Sequence, residues 1–326
     1  MTNEDIDLQW ATSTIARLNH YFDDVVVGQR RLRTALMATL LTGGHVLLES
    51  VPGLAKTLAA STLARSVSGS FARIQCTPDL LPSDIIGTEI YDQRASKFVT
   101  ELGPVHANFV LLDEINRSSA KTQSAMLEAM QERQTSIGGE TYPLPSPFMV
   151  MATQNPIEEE GTYVLPQAQM DRFLLKEIVH YPSAEDEVRV LDRIESNTFE
   201  RPQPAVCSTE DIRRLQQLVA RVQVAPEIKR YLVEIINVTR NPEQFLGADD
   251  ARWIEFGSSP RGSIAFMQVA RALAVMAGRS YVIPDDVMLL RYAVLRHRLV
   301  LTFEAVAERI RPEHIIDAVF AAVETP

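Results

Sequence analysis

The chain has 326 residues, 46% of them hydrophobic, enough for a sizeable core and about two domains. It carries 32 basic against 42 acidic residues, a net charge of −10, which argues against a nucleic-acid motor with a basic groove, although an axial pore can be locally basic. No long apolar run is present and the N-terminal MTNEDIDLQW is acidic and polar, so no membrane span or signal peptide is expected; the chain is expected in the cytoplasm unless a partner recruits it to a membrane.

In chain order, apolar runs at 45–49, 71–76, 109–112, 148–152 and 173–179 predict five strands, mostly separated by helical patterns. This is the signature of a parallel sheet covered on both faces. The first run meets the Pro52-Gly53 turn and then Lys56-Thr57, after which Leu58, Ala59, Thr62 and Leu63 fall on one helical face. Strand, tight loop and helix in this order suit a phosphate, because the first helical N–H groups are unpaired and the helix dipole is positive there. Lys56 would add a point charge on the β- and γ-phosphates, and the Thr57 hydroxyl would ligate Mg²⁺. The phosphate-loop pattern G-x-x-x-x-G-K-[ST] has Ser50 and Ala55 at its two glycine positions here, so the loop alone also reads as an ordinary strand–helix turn.

The third run, FVLLDE, ends in Asp113 and Glu114. Two carboxylates at the end of a buried strand need cationic compensation. Mg²⁺ would provide it at Asp113, and Glu114 would orient and polarise a water. The alternative is an acidic helix start. The fourth run leads into Asn155, which can hold a water by donor and acceptor at once, or can simply close a strand in an Asn-Pro turn. Arg172 precedes the fifth run, and Arg261 opens a long amphipathic helix; either alone also fits a solvated surface residue.

Residues 88–105 and 134–145 do not fit a strand–helix unit. Each holds two short β-prone pieces, the second around Gly138-Gly139, and each is expected to form a projecting hairpin. After Tyr181-Pro182 the pattern turns helical, at about 184–196, 209–221, 226–240, 260–278, 285–299 and 313–323, with Ser183 and Ser208 as N-caps and Asp186 and Asp211 three residues on. Residues 197–207 read as a Pro-rich hinge, and Gly247 to Ser259 as a flexible loop. Of two basic clusters, Arg30-Arg31-Arg33 reads as a solvated helix face or a subunit contact, and Arg291…Arg296-His297-Arg298 as the last turns of a helix, where cations suit the dipole. Cys76 and Cys207 lack zinc spacing, and the six histidines form no ligand pair, so no metal is expected beyond nucleotide-bound Mg²⁺.

The segments LLESVPGLAKT, CTPDLLPSDIIGTE, LLDEINRSSAKTQSAMLEAMQERQ, MATQNPIEEEGTYVLPQAQMDRFLLK and SPRGSIAFMQVARALAVMAGRSYVIPDDV together resemble the MoxR-type AAA+ ATPases, from about Val26 to the C-terminus. The resemblance implies an α/β AAA+ core, residues 1–182, with a five-stranded parallel sheet and hairpin insertions, then an all-helical lid, residues 183–326. It implies that Ser50, Val51, Pro52, Gly53, Leu54, Ala55, Lys56, Thr57 and Leu58 hold ATP, with Ser50 departing from the family's glycine. Val27, Gly28 and Gln29 resemble the adenine-pocket segment. Asp113 and Glu114 match Walker B, Asn155 sensor 1, Arg172 a finger reaching a neighbour's nucleotide, and Arg261 sensor 2, expected on its own subunit's γ-phosphate. Two hairpin insertions mark the AAA+ branch of MoxR proteins, the magnesium-chelatase motor and replicative helicases. The family implies Mg²⁺-ATP, a homo-oligomeric, hexameric ring and a chaperone acting on client proteins with a von Willebrand factor A-domain (VWA) partner, in metal-cofactor maturation. A chelatase or nucleic-acid motor subunit and a nucleotide-gated scaffold remain the alternatives.

Overall fold

A computed structural model describes residues 3–51, 53–155, 163–196 and 204–326. The Pro52 assignment and most of the 197–207 hinge lie outside these described residues. Two helices, α1 (Asn3–Val25) and α2 (Arg30–Thr42), precede β1 (Val46–Glu49) and α3 (Lys56–Ser66). Then come β2 (Phe71–Gln75), α4 (Pro82–Ile86), the hairpin β3 (Gly87–Asp92) and β4 (Lys97–Leu102), β5 (Phe109–Asp113) and α5 (Ala120–Glu132). A second hairpin, β6 (Gln134–Ile137) and β7 (Glu140–Pro143), leads to β8 (Met149–Gln154), α6 (Gln167–Met170) and β9 (Leu175–Ile178).

The five expected strands form one parallel sheet in the order β2-β5-β8-β1-β9. Their continuous apolar runs follow from burial on both faces. Val46, Leu48, Phe109, Leu111, Met149 and Met151 enter one apolar cluster, while the alternate residues Leu47, Val110, Leu112, Val150 and Ala152 enter the other. The order changes direction at β1, so the crevice for a ligand is expected beyond its C-terminal end, where residues 50–57 lie. Both hairpins form as expected, and Gly138 and Gly139 take positive φ at the second turn.

The remaining chain is α7 (Ala184–Glu195), α8 (Thr209–Arg221), α9 (Pro226–Arg240), α10 (Pro242–Phe245), α11 (Ala248–Ala251), β10 (Ile254–Phe256), α12 (Pro260–Met276), α13 (Pro284–Leu289), α14 (Arg291–Leu295), β11 (Val300–Leu301), α15 (Phe303–Ala307) and α16 (Pro312–Ala321). Ser183 and Ser208 cap α7 and α8 as expected, each hydroxyl accepting the amide of the Asp three residues on. Three expectations change. Residues 247–259 are not a loop but α11 and β10, which pairs antiparallel with β11 across the helical region. Residues 285–299 break at Leu290 into two short helices. Leu58 is 37% exposed, leaving Ala59, Thr62 and Leu63 as the buried face of α3.

The basic cluster at 291–298 is also not a solvated helix end. Arg296, His297 and Arg298 are buried. Arg298 donates to the carbonyls of Phe173 (2.8 Å) and Leu174 (3.1 Å), His297 Nε2 to Phe173 O (3.0 Å), and Arg296 to Lys176 O (2.9 Å). These bonds stitch the helical region to the entrance of β9. Arg31, of the first cluster, pairs at 3.1 Å with Glu177, which is 1% exposed.

Candidate nucleotide site

Most of the residues expected to meet nucleotide gather beyond the C-terminal ends of the parallel strands. Ser50 N–H donates to Gln154 O (3.3 Å), and Val179 N–H to Glu49 O (2.9 Å), which ties the ends of β1, β8 and β9 together. Gly53 and Ala55 have φ of 87° and 54°, and a Cβ at Gly53 would meet nothing within 4 Å. Left-handed residues in a loop let successive amides face one concavity, and the amides of the first turn of α3 lack intrahelical acceptors. Lys56 Nζ lies over this loop, donating to Ser50 O at 3.2 Å. This donor set fits an anion such as a polyphosphate, and the half-buried Thr57 follows Lys56 in the same turn.

Gln29 Nε2 donates to His180 O (3.1 Å), one residue past the end of the β9 bond to Glu49, so Val27-Gly28-Gln29 flanks the loop. Gly28 has φ 76°, and a Cβ there would lie 2.5 Å from the Asp186 carboxyl. Only glycine fits between the segment and the start of α7.

Asp113 is 8% exposed at the end of β5. Sequence reasoning assigned its compensation to Mg²⁺ alone; here Arg73 of β2 supplies it, with Nη2 at 2.6 Å and Nε at 3.1 Å from Oδ2. Thr153, fully buried on β8, donates to Asp113 Oδ1 and accepts the Glu114 amide, both at 2.9 Å. Glu114 has φ 57°, a left-handed conformation costly for a side-chain-bearing residue. The Thr153 bond holds it there. The Glu114 carboxylate meets Gln75 Nε2 (3.2 Å) and Arg117 Nε (3.2 Å). Asn155 is buried two residues past Thr153. Arg73, Gln75 and Thr153 carry no sequence signal beyond lying in the C-terminal halves of β2 and β8, the strands flanking β5, and that needs the strand order.

Arg172 and Arg261 lie elsewhere. Both line a cavity of about 280 Å³ whose other walls include Gly43, Gly44, His45, Arg133 and Arg298. These residues precede β1, so the cavity sits at the N-terminal ends of the strands. Six residues of extended chain separate Gly44 from Ser50, about 20 Å at ~3.3 Å per residue. That separation weighs against the expected contact of Arg261 with its own subunit's nucleotide. Among the described residues neither guanidinium has a hydrogen-bond or ion-pair partner. Both cysteines are buried, and burial pushes their thiols up to about 12, which makes them packing residues.

Residues 45–175 match the ATPase family associated with various cellular activities (AAA), and residues 248–319 match the AAA lid domain. The chain is 54% identical over 303 residues to a Mycobacterium tuberculosis protein named Chaperone MoxR1, covering 93% of this chain and 80% of that one. It is 34% identical to Protein MoxR of Paracoccus denitrificans, covering 93% of each. A crystal structure of a Cytophaga hutchinsonii protein assigned as an ATPase superposes with a TM-score of 0.92 at 42% identity, covering 98% of this chain and 97% of that one. No helix among the described residues is long and apolar enough to cross a membrane. The sheet, the loop at its switch point and these relatives agree, and the chain belongs to the MoxR-type AAA+ ATPases, enzymes that hydrolyse ATP.

Proposed function

We propose that this ATPase works as a closed homo-oligomeric ring, a hexamer, whose active sites are each split between two subunits. The observation that carries the reading is strand polarity. Lys56, Thr57, Asp113, Glu114 and Asn155 stand at the C-terminal ends of the sheet, while Arg172 and Arg261 line one cavity at the other end. In a head-to-tail interface that closes, one subunit's arginine cavity faces the next subunit's loop. Lys56 and the backbone N–H groups of Ser50, Val51 and Gly53 through Leu58 hold the phosphates, with Val27, Gly28 and Gln29 beside the base. Thr57 and Asp113 would hold Mg²⁺, which would neutralise phosphate charge; here Arg73 occupies the Asp113 carboxylate. Glu114 and Asn155 set the water. Arg172 and Arg261 both stabilise transition-state charge in the neighbour's site. The nucleotide-binding unit spans residues 1–182 and the lid residues 183–326.

The same reading makes the protein a cytoplasmic chaperone. A relative named a chaperone, 54% identical, supports action on a client protein; a VWA-domain partner and metal-cofactor maturation are the specific forms that the family resemblance suggests for that work. The experiment that tests the split site mixes Arg172→Ala protein with Glu114→Gln protein, each inactive alone. Some interfaces then place a native Arg172 beside a native Glu114, and partial ATPase activity is the expected outcome. Mixed oligomers that form and stay inactive, or wild-type turnover that persists in a demonstrated monomer, refute it.

A further inference from the structure

Arg172 and Arg261 are 89 positions apart in sequence, on different parts of the fold, yet a single carboxylate lies between them. Asp171 precedes Arg172 at the turn from α6 into β9. Its Oδ2 accepts from Ser259 Oγ at 2.7 Å, and its Oδ1 accepts from Arg298 Nε at 2.8 Å. Ser259 is the N-cap of α12, and its hydroxyl in turn accepts the Arg261 amide at 3.2 Å. The path from one arginine to the other is therefore one peptide link, one carboxylate and one hydroxyl.

The third partner fixes this node to the sheet. Arg298 is 4% exposed and also donates to Phe173 O, Leu174 O and Val294 O. Among the described residues, Asp171 is the single acidic side chain lining the cavity that holds Arg133, Arg172, Arg261 and Arg298. Stability alone does not call for such an arrangement, because buried ion pairs are often replaceable by apolar packing without loss. Positioning does call for it. An arginine that must meet charge developing on another subunit gains only if its place is set beforehand, and a misplacement of ~1 Å can cost ~10²-fold in rate.

We propose that Asp171 is a positioning residue that locks Arg172 on the core and Arg261 on the lid into one rigid unit directed at the neighbouring subunit's nucleotide. This rests on the split-site reading above. It assigns Asp171 no contact with ATP and makes its effect appear in the adjacent subunit's site.

The test uses full-length Asp171→Ala and Ser259→Ala proteins, with Glu114→Gln and Arg172→Ala proteins as partners. Asp171→Ala should bind a fluorescent ATP analogue like wild type, assemble, and lose turnover by ~10- to 100-fold, the range expected for misplaced positioning groups. Mixed with Glu114→Gln, it should regain activity, because its own loop and Glu114 then meet intact arginines. Ser259→Ala removes only the lid arm and should show a smaller loss that the same mixing repairs. If Asp171→Ala does not fold, the Ser259→Ala result decides. Near-wild-type turnover of both variants overturns the proposal. So does a defect that persists in demonstrated mixed oligomers, since a general structural lesion would damage the variant's own site. If Arg172→Ala with Glu114→Gln regains activity and Asp171→Ala with Glu114→Gln does not, Asp171 loses its role while the split site stands. Failure of the Arg172→Ala mixture shows that the split site itself is wrong.

Discussion

Thr153 offers a sharp test of how the hydrolytic end of the site is held. Thr153→Val keeps the β-branched shape on β8 and deletes one oxygen. That oxygen donates to Asp113 Oδ1 and accepts the Glu114 amide, each at 2.9 Å, and the residue is 0% exposed, so water does not replace it. A hydrogen bond to a charged group contributes about 1.5–3 kcal/mol, and an unpaired buried amide costs about 1–3 kcal/mol. The variant should therefore lose about 3 kcal/mol or more of stability in urea denaturation. Without that bond the left-handed φ of 57° at Glu114 rests on its contacts with Gln75 and Arg117. At ~1.4 kcal/mol per tenfold in rate, loss of even half of that energy from the positioning of Glu114 lowers turnover ~10-fold or more. Affinity for ATP measured without Mg²⁺ should stay within about twofold, ~0.4 kcal/mol, because Lys56 and the loop are untouched. Thr153→Ser, which keeps the oxygen, is the control. A Thr153→Val protein as active and stable as Thr153→Ser would refute the idea that this hydroxyl sets the catalytic carboxylate.

Further outcomes follow from the same geometry. Lys56→Ala removes the only side-chain cation the loop contributes, and an ATP titration should show affinity abolished; unchanged affinity would remove the loop assignment. Ser50→Gly should change affinity by no more than about 1 kcal/mol, because Ser50 is not at positive φ, whereas Ala55→Gly should stabilise the fold by up to about 1 kcal/mol, since Ala55 sits at φ 54°. Thermal denaturation of the two variants distinguishes them. His45 is buried between Met130 O and the Val150 amide, and burial, with Arg133 second, pushes its pKa down to about 3. The unfolded chain takes that proton first, so stability should fall as pH drops from about 6.5 toward 3. In urea titrations at pH 7 and pH 5, His45→Gln should show a smaller acid loss than wild type; an equal loss would assign the acid sensitivity to other groups.

Much of the sheet was legible because a strand buried on both faces leaves a plain mark: FVLLD and MVMAT are apolar at every position that enters the two clusters. The caps at Ser183 and Ser208 and the turn at Gly138-Gly139 were legible because their chemistry is local. The phosphate loop is ambiguous in sequence because Ser50 and Ala55 stand where the pattern has glycine; the backbone needs no glycine at Ser50, whereas Ala55 takes the left-handed φ of 54° that glycine favours. Arg296, His297 and Arg298 were not legible. A basic run ending a helix looks solvated, and what buries it is a set of β9-entrance carbonyls that no helix pattern announces. Residues 247–259 looked like loop for a similar reason: β10 exists only because β11, more than forty residues on, pairs with it.

The direction of Arg261 has the widest consequence. Its place after the core in sequence invites a lid that closes over its own nucleotide, with lid angle reporting nucleotide state. The bonds described here oppose that picture. Arg298, His297 and Arg296 bind the lid to the entrance of β9, and Ser259 binds the start of α12 to Asp171. Four separate side chains would have to release for α12 to swing, two of them charged and buried, at a cost of about 1–3 kcal/mol each. Under the split-site reading, ATP in one subunit then acts on the core and lid arginines of the next as a single body. The moving boundary lies between subunits rather than between the two domains of one chain.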